Sequence, residues 1–172
     1  MIRKSNLQDV AQVAKIYKTL LEGEASRAMT GWQEGVYPSQ QTALDAHRRG
    51  DLFVMEVSGE IVAAAILNQT QVDVYAQCDW ADKAPADQVM VIHTLVVDPG
   101  QGGKGYASAF VSFYESYARE HNCPTLRLDT NAVNTAARNL YRKLGYREAG
   151  IVPCVFNGIE GVQLVCLEKK LD

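Results

Sequence analysis

LVVDPGQGGKGYA, running from Leu95 to Ala107, packs the end of a strand, a loop and the start of a helix into thirteen residues. QVMVIHTLVVD (Gln88–Asp98) leads into it and is apolar on both alternating faces, as a central strand requires. Pro99 stops that strand because it has no N–H to give the ladder. Four glycines lie within Gly100–Gly105, and from Gly103 to about His121 the residues Ala107, Phe110, Val111, Tyr114 and Ala118 recur at helical spacing. The first N–H groups of a helix have no partners within it, and the helix dipole adds partial positive charge there. Glycines let an anion approach such a backbone without a Cβ in the way. The pattern suits a pyrophosphate, with Lys104 placed to add charge. A glycine-rich turn without a ligand is the alternative.

Downstream, Pro124–Asp129 reads as a strand and Asn134–Leu144 as a helix closed by Gly145. Tyr146–Phe156 and Val162–Glu168 read as a pair of strands turning at Asn157-Gly158. Upstream, Ile2–Lys4 is a short strand, and Ser5-Asn6 cap a helix whose apolar face is Leu7, Val10, Val13, Ala14, Tyr17, Leu20 and Leu21. Ser39 caps a second helix to about His47, ended by Gly50. Asp51–Val57 and Glu60–Asn68 form a hairpin at Ser58-Gly59. Arg27–Pro38 reads as an irregular loop over a cleft, and Gln71–Ala86 as a hairpin extension running into a loop. The order β-α-α-β-β-β-α-β-α-β-β gives an α/β fold class, a mixed sheet with helices on both faces. No repeat or linker divides residues 1–172, which read as one domain.

Composition removes several function classes. Of 172 residues 47% are hydrophobic and 22% charged, ordinary for a globular domain. Seventeen basic against twenty acidic residues leave a net charge of −3, which argues against nucleic acid as a partner. The longest apolar run, Ile61–Leu67, is far short of the ~20 residues of a membrane span. The polar start MIRKSNLQDV has no signal-like apolar core. Cys78, Cys123, Cys154 and Cys166 show no C-x-x-C spacing and read as reduced core thiols rather than a metal site. These features predict a cytoplasmic protein with no metal, membrane or nucleic-acid partner.

Three phosphate ligands compete for the glycine loop. Gly100-x-Gly102-x-x-Gly105 formally matches the dinucleotide fingerprint, and Asp129 lies where a ribose-binding acid would sit. That fingerprint normally opens a domain, however, and more than half of this chain precedes it. The ATP-type loop fails, because Asp98 stands where its first glycine belongs and Gly105 where its Ser or Thr belongs.

The third match uses two segments together. The V-x-x-x-x-x-G-x-G-x-A pattern of the loop (Val97–Ala107), and NTAARNLYRKLGY (Asn134–Tyr146) about thirty residues later, resemble the GCN5-related N-acetyltransferase (GNAT) superfamily. The later segment carries its N-x-x-A-x-x-L-Y-x-K-x-G-F/Y signature at Asn134, Ala137, Leu140, Tyr141, Lys143, Gly145 and Tyr146. One departure stands in the loop: the family's Gln or Arg position is Gly102, and the glutamine, Gln101, is one place early.

The resemblance implies an N-acetyltransferase moving an acetyl group from acetyl-CoA directly to a primary amine, on a small molecule or a peptide. It implies that Leu95, Val96 and Val97 line the pantetheine arm through main-chain groups, and that Gly102, Gly103, Lys104, Gly105, Tyr106 and Ala107 cradle the pyrophosphate. It also implies that Asn134 bonds or positions the cofactor, and that Tyr141 returns a proton to the leaving thiolate. A phenol near pKa 10 can protonate a thiolate near 8.5 once both are desolvated; a purely structural core tyrosine is the alternative.

Many relatives take the amine proton with a glutamate on the strand before the loop, and this strand has none. His93 is its one titratable side chain, two residues before Leu95 and so on the same face. It reads either as a base near pKa 6.5 or as a histidine satisfied by a backbone carbonyl. Thr94 points the other way. Trp32, Glu34 and Tyr37, and more distantly Asp73, Tyr75 and Asp79, are candidates for shaping the acceptor pocket, with Glu34 facing an ammonium. A non-catalytic acyl-CoA-binding or sensory domain is the second reading and a dinucleotide-binding oxidoreductase the third. The two C-terminal strands could pair across a homodimer.

Overall fold

A computed structural model describes residues 1–172. Seven strands form one sheet in the order β1-β2-β3-β4-β5-β7-β6. They are β1 (Ile2–Lys4), β2 (Leu52–Val57), β3 (Glu60–Asn68), β4 (Val89–Val97), β5 (Thr125–Asn131), β6 (Arg147–Phe156) and β7 (Ile159–Lys170). The helices are α1 (Leu7–Glu22), α2 (Glu24–Thr30), α3 (Gln40–Arg49), α4 (Tyr106–Glu120) and α5 (Thr135–Lys143). Their ends follow from local chemistry. Asn6 and Ser39 close reciprocal capping boxes with Asp9 and Thr42, and Gly50 ends α3 in the left-handed region at φ 77°.

Every neighbouring pair in the sheet is antiparallel except β4–β5. That pattern overturns the dinucleotide-binding alternative, whose doubly wound fold needs a mostly parallel sheet. The single parallel pair is also incomplete. Val89, Met90 and Val91 are in register with Thr125, Leu126 and Arg127, and beyond them the two strands part. Tyr114 of α4, wholly buried, holds the fork: its hydroxyl lies 2.6 Å from the Met90 carbonyl oxygen and 3.1 Å from that of Arg127, one on each strand.

β4 carries a second irregularity. Ala64 pairs with Val96 but Ile66 pairs with His93, so Thr94 and Leu95 stand opposite Ala65 alone. This is a β-bulge, and Thr94 within it has φ +51°, a strained conformation for a β-branched residue that costs roughly 1–3 kcal/mol. The bulge inverts side-chain alternation. Met90, Ile92, Leu95 and Val97 pack toward α4, whereas Val96 packs toward α1 and α3. The expectation that His93 shares a face with Leu95 is therefore wrong, because strict alternation does not survive an extra residue.

Helices α1 and α3 cover one face of the β1–β4 half, burying Val10, Val13, Ile16, Tyr17, Ala43 and Ala46 against Leu52, Val54 and Ile66. On the other face, α4 and α5 bury Phe110, Val111, Tyr114 and Tyr141. The β5-β7-β6 half is covered on the α1 side by the chain between β3 and β4. There Tyr75 and Trp80 pack on Val89, Val91, Val162 and Leu164.

Two connections depart from expectation. Arg27–Pro38 is not wholly irregular: helix formers from Glu24 to Met29 build α2, which Gly31 ends at φ 72°. Gln71–Ala86 forms no strand. It makes a 3-10 turn, Asp73–Gln77, and buries its aromatics, with the Trp80 indole donating to the Tyr75 carbonyl at 2.7 Å. Burial of two large rings outweighed a weak alternation. No helix is long and apolar enough to cross a membrane.

Replacing Tyr114 by Phe should cost about 1–3 kcal/mol, the penalty for leaving a buried acceptor unpaired. For a chain of this size the melting temperature is expected to fall by several degrees in a calorimetric scan.

Candidate active site

Where β4 and β5 part, a cavity of about 580 Å³ opens and is walled by residues from both sides of the sheet. On the α5 side lie Asn134, Ala137 and Tyr141, and along the unpaired edge of β4 lie Ile92 to Val97. Because β5 pairs with β4 only as far as Val91, the main chain of Leu95, Val96 and Val97 faces the gap on that side without a strand partner. On the α1 side the walls are Thr30, Trp32, Tyr37, Thr42 and Arg49, then Asn68, Thr70 and Val72, and finally Phe156 and Asn157 at the β6–β7 turn.

The glycine loop continues the chain beyond Val97, the last residue of β4 on the cavity wall, into α4; none of Gly100–Ala107 lines the cavity itself. Gly103 and Gly105 have φ 76° and 78°, and a Cβ built on either meets nothing within 4 Å, so their backbone faces open space. Gly105 is the N-cap of α4 and gives no side-chain cap, and no protein acceptor reaches the N–H groups from Gly103 to Ser108. A row of unpartnered donors at a helix start fits a pyrophosphate. Lys104 donates to the Gln101 side chain at 2.6 Å, so the early glutamine and the lysine hold each other at the rim of this cradle.

Asp129 is the carboxylate of the cavity. It stands, half-buried, near the C-terminal end of β5 on the cavity wall, and burial raises its pKa to about 6; a hydrogen bond from the Tyr75 hydroxyl, at 2.8 Å, works against that rise. Tyr141 is buried on the same cavity. Burial, and then the charge of Asp129, push its pKa upward, so it keeps its proton at neutral pH.

His93 lines the cavity too, but burial lowers its pKa to about 4. Its Nε2 lies 3.0 Å from Asn68 Oδ1. The Asn68 amide nitrogen donates to Asp51 Oδ2 at 3.1 Å, which fixes Oδ1 as the acceptor and Nε2 as the protonated nitrogen. The backbone of Thr70 also bonds His93, as the sequence reading expected of a satisfied histidine, and the Asn68 side-chain amide adds a second partner.

Other expected residues divide sharply. Trp32 and Tyr37 line the cavity and stack edge-to-face, and Tyr37 meets Phe156 in the same way, with ring centroids 5.9 and 5.4 Å apart. The Tyr37 hydroxyl is hydrogen-bonded to Thr94 Oγ1, which ties the α2–α3 loop to the bulge. Glu34 does not face this cavity; it lines a smaller cleft against α1. Asp73 and Asp79 stay outside it, and Tyr75 acts only behind Asp129. Asn134 uses its Oδ1 to cap α5 through Ala137 N–H at 3.1 Å, so what it offers the cavity is its amide nitrogen. Sequence reasoning placed Asp129 only as a dinucleotide acid; the available signal was a carboxylate at the carboxyl end of the strand that follows the glycine loop.

Comparison with known proteins agrees with this geometry. The acetyltransferase (GNAT) family model matches residues 15–146. The chain belongs to that family. An N-acetyltransferase of Methanocaldococcus jannaschii is 28% identical over 100 residues, covering 58% of this chain and 40% of that protein. The streptothricin acetyltransferase of Escherichia coli is 30% identical over 95 residues, covering 55% and 46%. The matches thus span less than half the length of these relatives.

Among solved structures, a GNAT-family acetyltransferase of Streptococcus agalactiae 2603 superposes with a TM-score of 0.80 at 23% identity, covering 100% of this chain and 95% of that one. The Salmonella typhimurium protein yncA, solved with its cofactor acetyl-CoA, superposes at 0.72 with 18% identity, covering 100% and 94%. At such identities the likeness establishes the fold.

Asp129 also predicts a stability signature. Its folded pKa, near 6, lies above the ordinary 3.8, so folding favours the protonated form. That stability is fully present below about pH 4 and is lost as pH rises through 6, by about 3 kcal/mol for a shift of this size. Asp129→Asn, which keeps an acceptor for Tyr75, should therefore melt several degrees higher than the parent at pH 8 and nearly level with it at pH 4.

Proposed function

We propose that this chain is an N-acetyltransferase that binds acetyl-CoA and a primary amine together and transfers the acetyl group directly between them. The observation that carries the reading is the juxtaposition of an unpaired β4 edge, a partnerless N–H cradle at α4, and a carboxylate and a phenol on one cavity. The cradle, Gly102–Ala107, would hold the pyrophosphate, and the main chain of Leu95, Val96 and Val97 the pantetheine arm. Acetyl-CoA supplies the acetyl group as a thioester, already activated.

The protein's part is to position and to move protons. Asp129, ionised above about pH 6, attracts the ammonium of the acceptor and takes one proton from it before attack, freeing the lone pair that forms the C–N bond; the second N–H proton leaves the nitrogen as the tetrahedral adduct collapses and replaces the one that Tyr141 gives to sulfur. Tyr141 returns a proton to sulfur as the C–S bond breaks. Its raised pKa is compatible with that role, because the same dry, negatively charged surroundings raise the affinity of a thiolate for a proton. Asp129 is preferred to His93 as the base. An imidazole titrating near pH 4, with Nε2–H committed to Asn68, is a weaker proton acceptor by about two pKa units. Holding amine and thioester in attack geometry supplies much of the rate.

Tyr141→Phe should lower kcat by about 10²-fold or more with acetyl-CoA affinity nearly intact, as read by thiol release and a thermal-shift titration. In the parent, kcat/KM should rise through about pH 6 on the acid side. Asp129→Asn should remove that limb along with most of the turnover, whereas His93→Ala should keep it. A limb that disappears in His93→Ala instead would return the base to His93.

A further inference from the structure

We infer that the amine acceptor is a small zwitterion, an amino acid or close analogue carrying a carboxylate, and that Arg49 is the residue that selects it. This rests on the acetyl-transfer reading of the same cavity. Asp129 and Arg49 are the carboxylate and the guanidinium that line the cavity, and Asp129, titrating near 6, is mostly ionised at neutral pH. The remaining polar groups on the acceptor side are threonines, asparagines, Tyr37 and His93, which is neutral there. The two charges come from opposite sides of β4, Asp129 from β5 and Arg49 from the last residue of α3. An acceptor whose ammonium meets Asp129 therefore has a fixed cation awaiting it elsewhere in the cavity.

The Arg49 side chain is about half exposed (54%) and is held at its Nε end. Its Nε donates to Asp51 Oδ2 at 2.9 Å, and the same oxygen accepts from Asn68 Nδ2 at 3.1 Å. Both terminal nitrogens of the guanidinium are left without a protein acceptor. A planar fork with free donors suits a carboxylate, which it can take in bidentate fashion. The charge pattern also discriminates against other amines. Asp51 offsets part of the Arg49 charge, so the discrimination rests on hydrogen bonding: a second ammonium finds only donors at the terminal guanidinium nitrogens, and a neutral-tailed amine leaves them unused. The edge-to-face cluster of Trp32, Tyr37 and Phe156 offers the body of the acceptor an apolar wall.

The test measures kcat/KM by thiol release from acetyl-CoA for the twenty amino acids, each beside its primary amide, and for spermidine and phenethylamine. The enzymes are the parent, Arg49→Ala and Arg49→Lys, and a thermal shift with acetyl-CoA is recorded for each to report folding and cofactor binding. At least one amino acid should exceed its amide by about tenfold to a hundredfold, the range expected of a charge-assisted hydrogen bond at a partly exposed site. Arg49→Ala should collapse that acid-to-amide ratio mainly through KM, and Arg49→Lys should restore part of it.

Amides, spermidine or phenethylamine used as well as any amino acid would overturn the inference. So would an acid preference that survives Arg49→Ala, or acetyl-CoA binding with no amino acid acetylated. Absence of an acetyl-CoA thermal shift in the parent would instead overturn the acetyl-transfer reading beneath it.

Discussion

Between Val89 and Val91, β4 is paired to β5 as any parallel neighbours are, and from Ile92 onward the two strands go separate ways. A sheet does not open spontaneously at its centre, since every unpaired N–H and C=O left in a dry interior costs free energy. Here the opening is supported on each side. Tyr114 reaches up from α4 to one carbonyl within the paired stretch of each strand, Met90 on β4 and Arg127 on β5, and the bulge at Thr94 turns β4 away from its straight course. What the parting leaves behind is a gap through the sheet, with polar main chain on one wall and side chains from two faces of the molecule on the others. The cavity, the exposed edge of β4 and the approach to α4 all depend on it.

The same gap sets the electrostatics. Asp129 and His93 stand on either side of it, and burial acts on both in the one direction it can, toward the neutral form. For a carboxylic acid that means a raised pKa, and for an imidazole a lowered one, so the two groups exchange their ordinary order and the carboxyl group titrates above the imidazole. Tyr75 moderates the shift of Asp129, and Asn68 fixes the tautomer of His93. Neither partner lies on a strand next to the glycine loop. One comes from the segment between β3 and β4 and the other from the end of β3, segments with no motif of their own.

The α2–α3 loop shows how the acceptor side is assembled from distant pieces. Tyr37 bonds the strained Thr94 and also stacks on Trp32 and Phe156, linking the N-terminal quarter of the chain, the central bulge and the C-terminal hairpin. A left-handed threonine persists only where its surroundings over-determine it, and this tyrosine belongs to those surroundings.

Much of the architecture was legible in the sequence because it is written in local chemistry. The caps Asn6 and Ser39, the stop at Pro99, the turn at Asn157-Gly158 and the period-2 and period-3.6 apolar patterns each act within a few residues, and each gave its element within a few positions. The glycine loop and the Asn134–Tyr146 segment identified the family for the same reason, since a backbone phosphate cradle needs glycines wherever it occurs. The extra residue at Thr94–Leu95 was not legible, because a bulge is settled by what β3 presents opposite and leaves no mark on β4's composition. The roles of Asp129, Asn68 and Arg49 were hidden likewise. Their protonation, orientation and free donors depend on burial and on partners tens of residues away, and such long-range contacts exist only once the chain has folded.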